Sequence, residues 1–256
     1  GTTVHIKTTT HTENLKAENV VAETPGGSSK NVVMAGAHLD SVADGPGIND
    51  NGTGSAALLE IAHRLSDSGV EPSNKIRFGW WGAEEEGLIG STDYVAGLKK
   101  KQLSKIALYL NFDMVGSPNF ARLIYDGDGD AFGSEGPKGS DKIEATFEKY
   151  FKKADLATGP TQFDGRSDYL GFIDAGIPAG GLFTGAEEIK TEEEADLYGG
   201  KAGVAFDHCY HQACDDLENV SRKAIKQMTP AIADSVARYA IDVGKIAKGG
   251  KKGKRL

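Results

Sequence analysis

The sequence predicts a single α/β domain, with a doubly wound and mostly parallel central sheet that has helices on both faces. Short apolar runs alternate with segments of helical period, and polar side chains collect just after the runs. Buried strands that alternate with helices are typical of parallel sheets covered on both faces. The composition is that of a folded domain, with 39% hydrophobic and 26% charged residues.

The candidate strands are apolar runs bounded by turn-rich sequence. Runs of this kind are characteristic of strands that are buried on both faces. In chain order they are NVVMAGAH from Asn31, KIRFGWW from Lys75, KIALYLNFDMVG from Lys105, ARLIYDGD from Ala121 and GIPAGGLFTG from Gly176.

Further segments have the apolar spacing of helices. Pro230 lies inside the last of them and has no backbone N–H to donate, which predicts a kink or a restart of the helix there. Residues 127–140 and 185–203 are predicted to be loops. The helical segments are TGSAALLEIAHRLSDSG from Thr53, STDYVAGLKKKQL from Ser91, SDKIEATFEKYFKKA from Ser140 and SRKAIKQMTPAIADSVARYAIDVGKIA from Ser221.

Charge and hydropathy restrict the partners. A net charge of −8 argues against nucleic acid, and no apolar stretch approaches the ~20 residues that span a membrane. The start of the chain lacks the basic-then-apolar pattern of a signal peptide. The basic run KIAKGGKKGKR lacks interleaved aromatic residues, so it is predicted to be solvated. We expect a monomer with one domain over residues 1–247 and a basic flexible tail over residues 248–256.

Polar residues follow the first three predicted strands at their carboxyl ends. His38 and Asp40 follow the first strand, Glu84 and Glu85 the second, and Asp113 the third. In doubly wound sheets, ligands bind beyond this edge. Each residue alone has an ordinary structural explanation, such as a turn or a solvated acidic patch. Their joint occurrence at one edge favours a shared function.

This set has the chemistry of a catalytic metal site. Asp50 and His211 are expected to join it. Carboxylates placed together repel one another unless cations neutralise them. Mixed imidazole and carboxylate ligands suit zinc in an open site, and so many oxygens suit two ions bridged by one carboxylate. The remaining histidines have no such neighbours and are predicted to be structural or surface residues: His5, His11, His63 and His208.

The two cysteines, Cys209 and Cys214, lie close together in HCYHQACD. We expect a disulfide, which implies an oxidising compartment and therefore secretion. Its use would be to hold His211, which lies inside the loop. The alternative is a structural zinc, but four ligands in seven residues leave little room for a tetrahedron. Those four ligands would be His208, Cys209, His211 and Cys214.

Several sequence blocks resemble, in the same order, the conserved blocks of the M28 family of dinuclear zinc aminopeptidases. The resemblance runs from about Val32 to Asp215 and is strongest to secreted leucine aminopeptidases of the Streptomyces type. It implies a zinc-exopeptidase fold that removes N-terminal, preferably large hydrophobic, residues from peptides with a free N-terminus. The blocks are AGAHLDSVADGPGINDNGTGSAALLE, RFGWWGAEEEGLIGS, NFDMVGSPN, GRSDY, GLFTGA and FDHCYHQACD.

The resemblance implies two zinc ions that share Asp50 as a bridging ligand. His38 and Asp113 would complete one ligand set, and Glu85 and His211 the other.

The same resemblance implies roles for residues around the metals. Glu84 corresponds to the general base, and Tyr210 to a hydrogen-bond donor for the tetrahedral intermediate. Asp40 corresponds to the carboxylate that orients the metal-bound His38. The substrate-binding residues would be Arg166 and, in the apolar side-chain pocket, Met114 and Phe183.

Three features depart from the family pattern. Members usually have about two helices before the first strand, whereas this chain begins almost at that strand. Tyr169 in GRSDY stands where relatives often carry histidine. Glu86 stands where an apolar residue is common.

Two other functions remain open. A metallocarboxypeptidase or deacylase on this fold would need basic residues for a substrate carboxylate, and Arg166 is the clear candidate. A non-catalytic peptidase-like module would typically lack metal ligands, which are present here. Calcium binding is possible at one acidic loop, although an exposed loop without an ion is the favoured explanation. That loop carries Asp126, Asp128 and Asp130.

Overall fold

The computed structural model describes residues 1–11, 14, 16–244 and 246. The tail predicted over residues 248–256 lies outside these residues. The strands are β1 (Val20–Glu23), β2 (Ser28–His38), β3 (Asn74–Trp81), β4 (Ile106–Phe112), β5 (Leu123–Tyr125), β6 (Gly159–Thr161) and β7 (Ala179–Phe183). The helices are α1 (Gly54–Asp67), α2 (Ile89–Gly97), α3 (Lys100–Leu103), α4 (Ser140–Lys153), α5 (Leu170–Asp174), α6 (Glu192–Tyr198) and α7 (Arg222–Ile241).

The strands form one sheet in the order β1-β3-β2-β4-β7-β5-β6. The central strands β3, β2, β4 and β7 are mutually parallel, as is the pair β5 and β6. Strand β1 is antiparallel to β3, and β5 is antiparallel to β7. The carboxyl ends of the four central strands therefore meet at one edge, as the polar residues of the sequence predicted.

Helices cover both faces of the sheet, which confirms the predicted fold class. One apolar core lies between the sheet and helices α1, α4 and α7, and includes Leu58, Phe147 and Ile232. A second core lies on the opposite face against α2 and α5, and includes Val95 and Phe172. The sheet is thus buried on both sides, which accounts for the nearly continuous apolar runs of its central strands.

The two strands that the sequence did not predict, β1 and β6, are both at sheet edges. All residues of β1 are exposed, so the strand lacks a buried apolar run. Strand β6 contains Pro160, which cannot donate to a strand partner and is tolerated at an edge.

Three predicted segments differ from the structure. The single helix expected from Ser91 is interrupted, because the backbone at Leu98 is extended between α2 and α3. The loop predicted over residues 185–203 contains α6, which begins with a capping box formed by Thr191 and Glu194. Helix α7 continues through Pro230 without a restart, since apolar residues on both sides of it pack into the core.

Candidate metal centre

His38 and two carboxylates form the first set of potential metal ligands, called here the first set. His38 ends β2, and Asp113 directly follows β4, the strand next to β2 in the sheet. The Nε2 atom of His38 lies 3.2 Å from Asp113 Oδ1 and 3.2 Å from Asp50 Oδ1. All three side chains are buried. Burial alone would lower the pKa of His38, but the Asp113 carboxylate raises it well above its usual value.

His211 and two carboxylates form a second set of potential metal ligands. The Nε2 atom of His211 lies 3.2 Å from Asp50 Oδ2 and 3.0 Å from Glu85 Oε2. Glu85 follows β3, on the other side of β2 from Asp113. The two oxygens of Asp50 therefore face two different imidazoles, one in each set. This is the arrangement expected of a bridging carboxylate.

The spacing of these atoms fits metal ligands. Ligands bound to zinc at 2.0–2.1 Å in a tetrahedron lie roughly 3.3 Å from one another. The imidazole-to-carboxylate distances of 3.0–3.2 Å are close to that value. Glu85 Oε1 is buried and has no hydrogen-bond partner. Burial and the Asp50 carboxylate raise the pKa of Glu85 to about 7, as expected where anions are crowded together. A cation at each set would satisfy these groups.

Glu84 lies beside the ligands and faces the same cavity. It is buried, and burial together with the Asp113 carboxylate raises its pKa to about 9. Cations bound at the neighbouring sets would lower this pKa and leave Glu84 ionised, which is the form that a general base requires. Glu86, the third glutamate of the run, is exposed, so the structure gives it no part in either ligand set.

Asp40 has a different geometry from the one predicted. The Nδ1 atom of His38 lies 3.1 Å from the backbone carbonyl oxygen of Asp40 and 3.8 Å from its carboxylate. The carboxylate instead accepts the backbone N–H groups of Glu84 at 3.0 Å and Glu85 at 3.2 Å. Asp40 therefore orients His38 through its carbonyl group and fixes the two glutamates through its side chain.

Ser167 was missed by the sequence analysis although it lies in the GRSDY block. Its hydroxyl donates to Asp113 Oδ2 at 2.6 Å and accepts from the Asn111 side chain at 2.8 Å. Asp113 thus has one oxygen toward His38 and the other held by a buried hydroxyl. A hydrogen bond of this kind fixes the orientation of a metal-binding carboxylate.

Cys209 and Cys214 are joined in a disulfide, which confirms that prediction. The alternative zinc site, with both sulfurs as thiolate ligands, is therefore wrong. His211 lies within the disulfide loop, as the sequence indicated.

Two buried aspartates connect the disulfide loop to Asp50. Asp215 accepts the backbone N–H groups of Asn49 at 2.9 Å and Asp50 at 3.0 Å. Asp207 accepts from the side chain of Asn49 at 2.6 Å, and Asn219 donates to both aspartates. The loop that carries His211 and the turn that carries Asp50 are therefore one hydrogen-bonded unit. No local sequence pattern indicates this network, since Asn49 and Asp50 are more than 150 residues from the two aspartates.

Because His211 lies in this hydrogen-bonded unit, reduction of the disulfide should affect metal binding. We expect mild reduction to weaken metal binding more than it lowers the free energy of unfolding. The bridge closes a short loop and contributes only about 2 kcal/mol of loop-closure entropy, whereas it constrains a metal ligand directly. Chelator competition and thermal unfolding, measured on oxidised and reduced protein, compare the two effects. Two free thiols in fully active protein would contradict this expectation.

Beyond the ligands, a cavity of about 70 Å³ adjoins the site. Met114 and Phe183 line it, together with Arg166 and Tyr210. The Arg166 guanidinium donates to the Tyr210 hydroxyl at 3.2 Å and pairs with Glu187 at 2.9 Å. The four residues predicted to contact substrate therefore share one cavity with the three carboxylates among the predicted ligands, which are Asp50, Glu85 and Asp113.

The remaining histidines with described structure lie at the surface. His5, His11, His63 and His208 are all exposed. None of the first three belongs to a group of potential ligands in the described part of the chain.

The acidic loop after β5 is partly buried. Oxygens of Asp126, Asp128, Asp130 and Glu144 lie within 4.8 Å of one another. Asp126 is buried rather than exposed, and its carboxylate accepts the N–H groups of Gly129 and Phe132. The carboxylate therefore stabilises the turn itself, and no ion is assigned to the loop.

The sequence profile of peptidase family M28 matches residues 19–236. The chain belongs to this family. It is 54% identical over 243 residues to leucine aminopeptidase 2 of Trichophyton equinum, which covers 95% of this chain and 49% of the fungal protein. It is 57% identical over 215 residues to an aminopeptidase of Pseudomonas aeruginosa, covering 84% of this chain and 40% of the bacterial protein. The chain thus spans about half the length, or less, of these relatives.

Solved structures of zinc aminopeptidases have the same M28 fold. The zinc aminopeptidase BSAP of Bacillus subtilis superimposes with a TM-score of 0.70 at 25% identity, over 90% of this chain and 52% of that protein. Of the helices that lie in the described ranges, none is long and apolar enough to cross a membrane.

Proposed function

We propose that this M28 chain is a zinc-dependent aminopeptidase that hydrolyses N-terminal, preferably large hydrophobic, residues from peptides. The proposal depends mainly on the position of Asp50. Its two carboxylate oxygens face different histidines, Oδ1 facing His38 and Oδ2 facing His211. Two zinc ions would be held, one by His38, Asp50 and Asp113, and the other by Asp50, Glu85 and His211. When bound, the ions would supply Lewis-acid activation of water and of the scissile carbonyl group.

Glu84 is the proposed general base of this reaction. It would accept the proton of the attacking water and then transfer that proton to the nitrogen of the leaving amine. Its backbone N–H is fixed by Asp40, so its position relative to the ligands is set by the same carboxylate that fixes Glu85.

Tyr210 is the proposed donor to the oxyanion. Its ring stacks on His211 with 3.8 Å between ring centroids, and Tyr210 and Glu84 both line the cavity. A donor fixed in advance where negative charge develops stabilises the transition state more than the ground state.

The charges around the cavity favour an aminopeptidase over a carboxypeptidase or deacylase. The cavity is lined by carboxylates that can accept hydrogen bonds from a substrate α-amine, among them Glu84 and Asp113. Arg166, the candidate for gripping a substrate carboxylate, is already paired with Glu187 and lies 3.8 Å from Glu188. The retained ligand sets and base also argue against a non-catalytic module.

The protein is further proposed to act outside the cell as a monomer. The disulfide supports an oxidising compartment.

The function is tested by the hydrolysis of leucine p-nitroanilide. We expect turnover by the purified protein, loss of that turnover in chelator, and recovery when zinc is added back. Turnover that is unaffected after metal removal would contradict the proposed metal dependence.

A further inference from the structure

Tyr169 occupies the position at which the sequence departs from the family pattern. It is 1% exposed, and its ring packs edge-on against Tyr125 and Phe163, with ring centroids 4.9 and 5.0 Å away. Packing alone would make it an ordinary core residue. Its hydroxyl group, however, is directed out of the core to the segment 164–166.

Three atoms of that segment bind the Tyr169 hydroxyl. The oxygen accepts the backbone N–H of Gly165 at 2.8 Å and of Arg166 at 3.3 Å, and the O–H donates to Asp164 Oδ1 at 2.7 Å. Gly165 has φ = +86°, a left-handed conformation that favours glycine. Asp164 Oδ1 also accepts the Arg166 N–H at 3.0 Å, so the segment is a turn held by the Tyr169 hydroxyl and by the carboxylate to which that hydroxyl donates.

The same segment forms part of the substrate cavity. Asp164 and Arg166 line it, and Tyr125, which packs against Tyr169, lines it as well. Both Asp164 and Arg166 are exposed, and the Arg166 side chain is held at its far end by Glu187 and the Tyr210 hydroxyl. The backbone from which both side chains extend is held by the Tyr169 hydroxyl, which bonds all three residues of the segment.

We propose that Tyr169 is a positioning residue that sets the wall of the substrate cavity by holding the 164–166 turn through its hydroxyl group. The expected change in KM rests on the proposed function, whereas the expected loosening of the 164–166 turn does not. Arg166 is the link to the reaction, because its side chain donates to the Tyr210 hydroxyl. Tyr210 is also held by its stacking on His211, so loosening of the turn affects substrate binding more than turnover.

The test is Tyr169→Phe, which keeps the buried ring and removes only the hydroxyl group. Tyr239→Phe is the matched control. Tyr239 is also buried, and its hydroxyl bonds Thr146 at 2.8 Å, but it belongs to the core on the opposite face of the sheet. Each variant removes one buried phenol hydroxyl together with its hydrogen bonds, and the two differ in whether those bonds reach the cavity.

Two measurements are made on both variants. In Tyr169→Phe, the backbone amide of Gly165 should exchange with deuterium at least about fivefold faster, the factor expected for one lost hydrogen bond of ordinary strength. KM for leucine p-nitroanilide should rise about five- to tenfold, and the higher value allows for the loss of more than one hydrogen bond. The value of kcat should stay within about twofold of wild type. Tyr239→Phe should change neither quantity.

Unchanged exchange at Gly165 in Tyr169→Phe would overturn the proposal, as would an equal rise of KM in Tyr239→Phe. If the wild-type protein fails to hydrolyse the substrate, the proposed function fails, and the exchange measurement still decides whether Tyr169 holds the turn.

Discussion

Glu84→Gln should lower kcat by about 10²–10⁴ while the protein keeps its metal. Glutamine has nearly the same shape but cannot take up the proton of the attacking water. Glu84 belongs to neither of the two ligand sets that Asp50 joins, so its loss leaves those sets complete. The measurement is kcat for leucine p-nitroanilide together with the zinc content of the purified variant.

The run of three glutamates supplies its own controls. Glu85→Gln should lose affinity for one metal, because Glu85 Oε2 lies 3.0 Å from His211 Nε2 in the second set. Glu86→Gln should behave as wild type, since that side chain is exposed. If Glu84→Gln lost metal while Glu85→Gln kept it, the assignment of base and ligand within this run would be reversed.

Acetylation of the substrate amine should nearly abolish hydrolysis. N-acetyl-leucine p-nitroanilide should show kcat/KM at least about 100-fold below that of leucine p-nitroanilide. Losing a charge-assisted hydrogen bond and leaving its buried partner unsatisfied costs about 1–3 kcal/mol, and the acetyl group adds a steric clash. The groups left without a partner would be carboxylates that line the cavity, such as Glu84 and Asp113.

The opposite end of the substrate provides the control for this experiment. A peptide with an amidated C-terminus should remain a substrate, because Arg166 is committed to Glu187 and does not serve a terminal carboxylate. Comparable cleavage of the acetylated compound, or loss of activity on amidation, would show that the enzyme does not select a free N-terminus.

The central sheet could be predicted from the sequence because its strands are buried on both faces. Burial makes β2, β3 and β4 apolar runs, and it forces polar residues such as His38 and Asp113 to the strand ends, where they are conspicuous. Strands β1 and β6 escaped prediction because edge strands are exposed and carry no such pattern.

The supporting network of the site could not be predicted in the same way. Asp215 and Asp207 act on Asn49 and Asp50 across more than 150 residues of sequence, and only the folded chain brings them together. The role of the Asp40 carboxylate was missed for a related reason. Its partners are backbone N–H groups, which no side-chain pattern reveals.

The number of zinc ions per chain tests the central claim most directly, because the whole account depends on Asp50 as a shared ligand. Native mass spectrometry of the active protein should find two zinc ions on each chain. Asp50→Asn should weaken both sites together, since each oxygen of Asp50 belongs to a different set. One zinc ion or none in fully active protein would contradict the account.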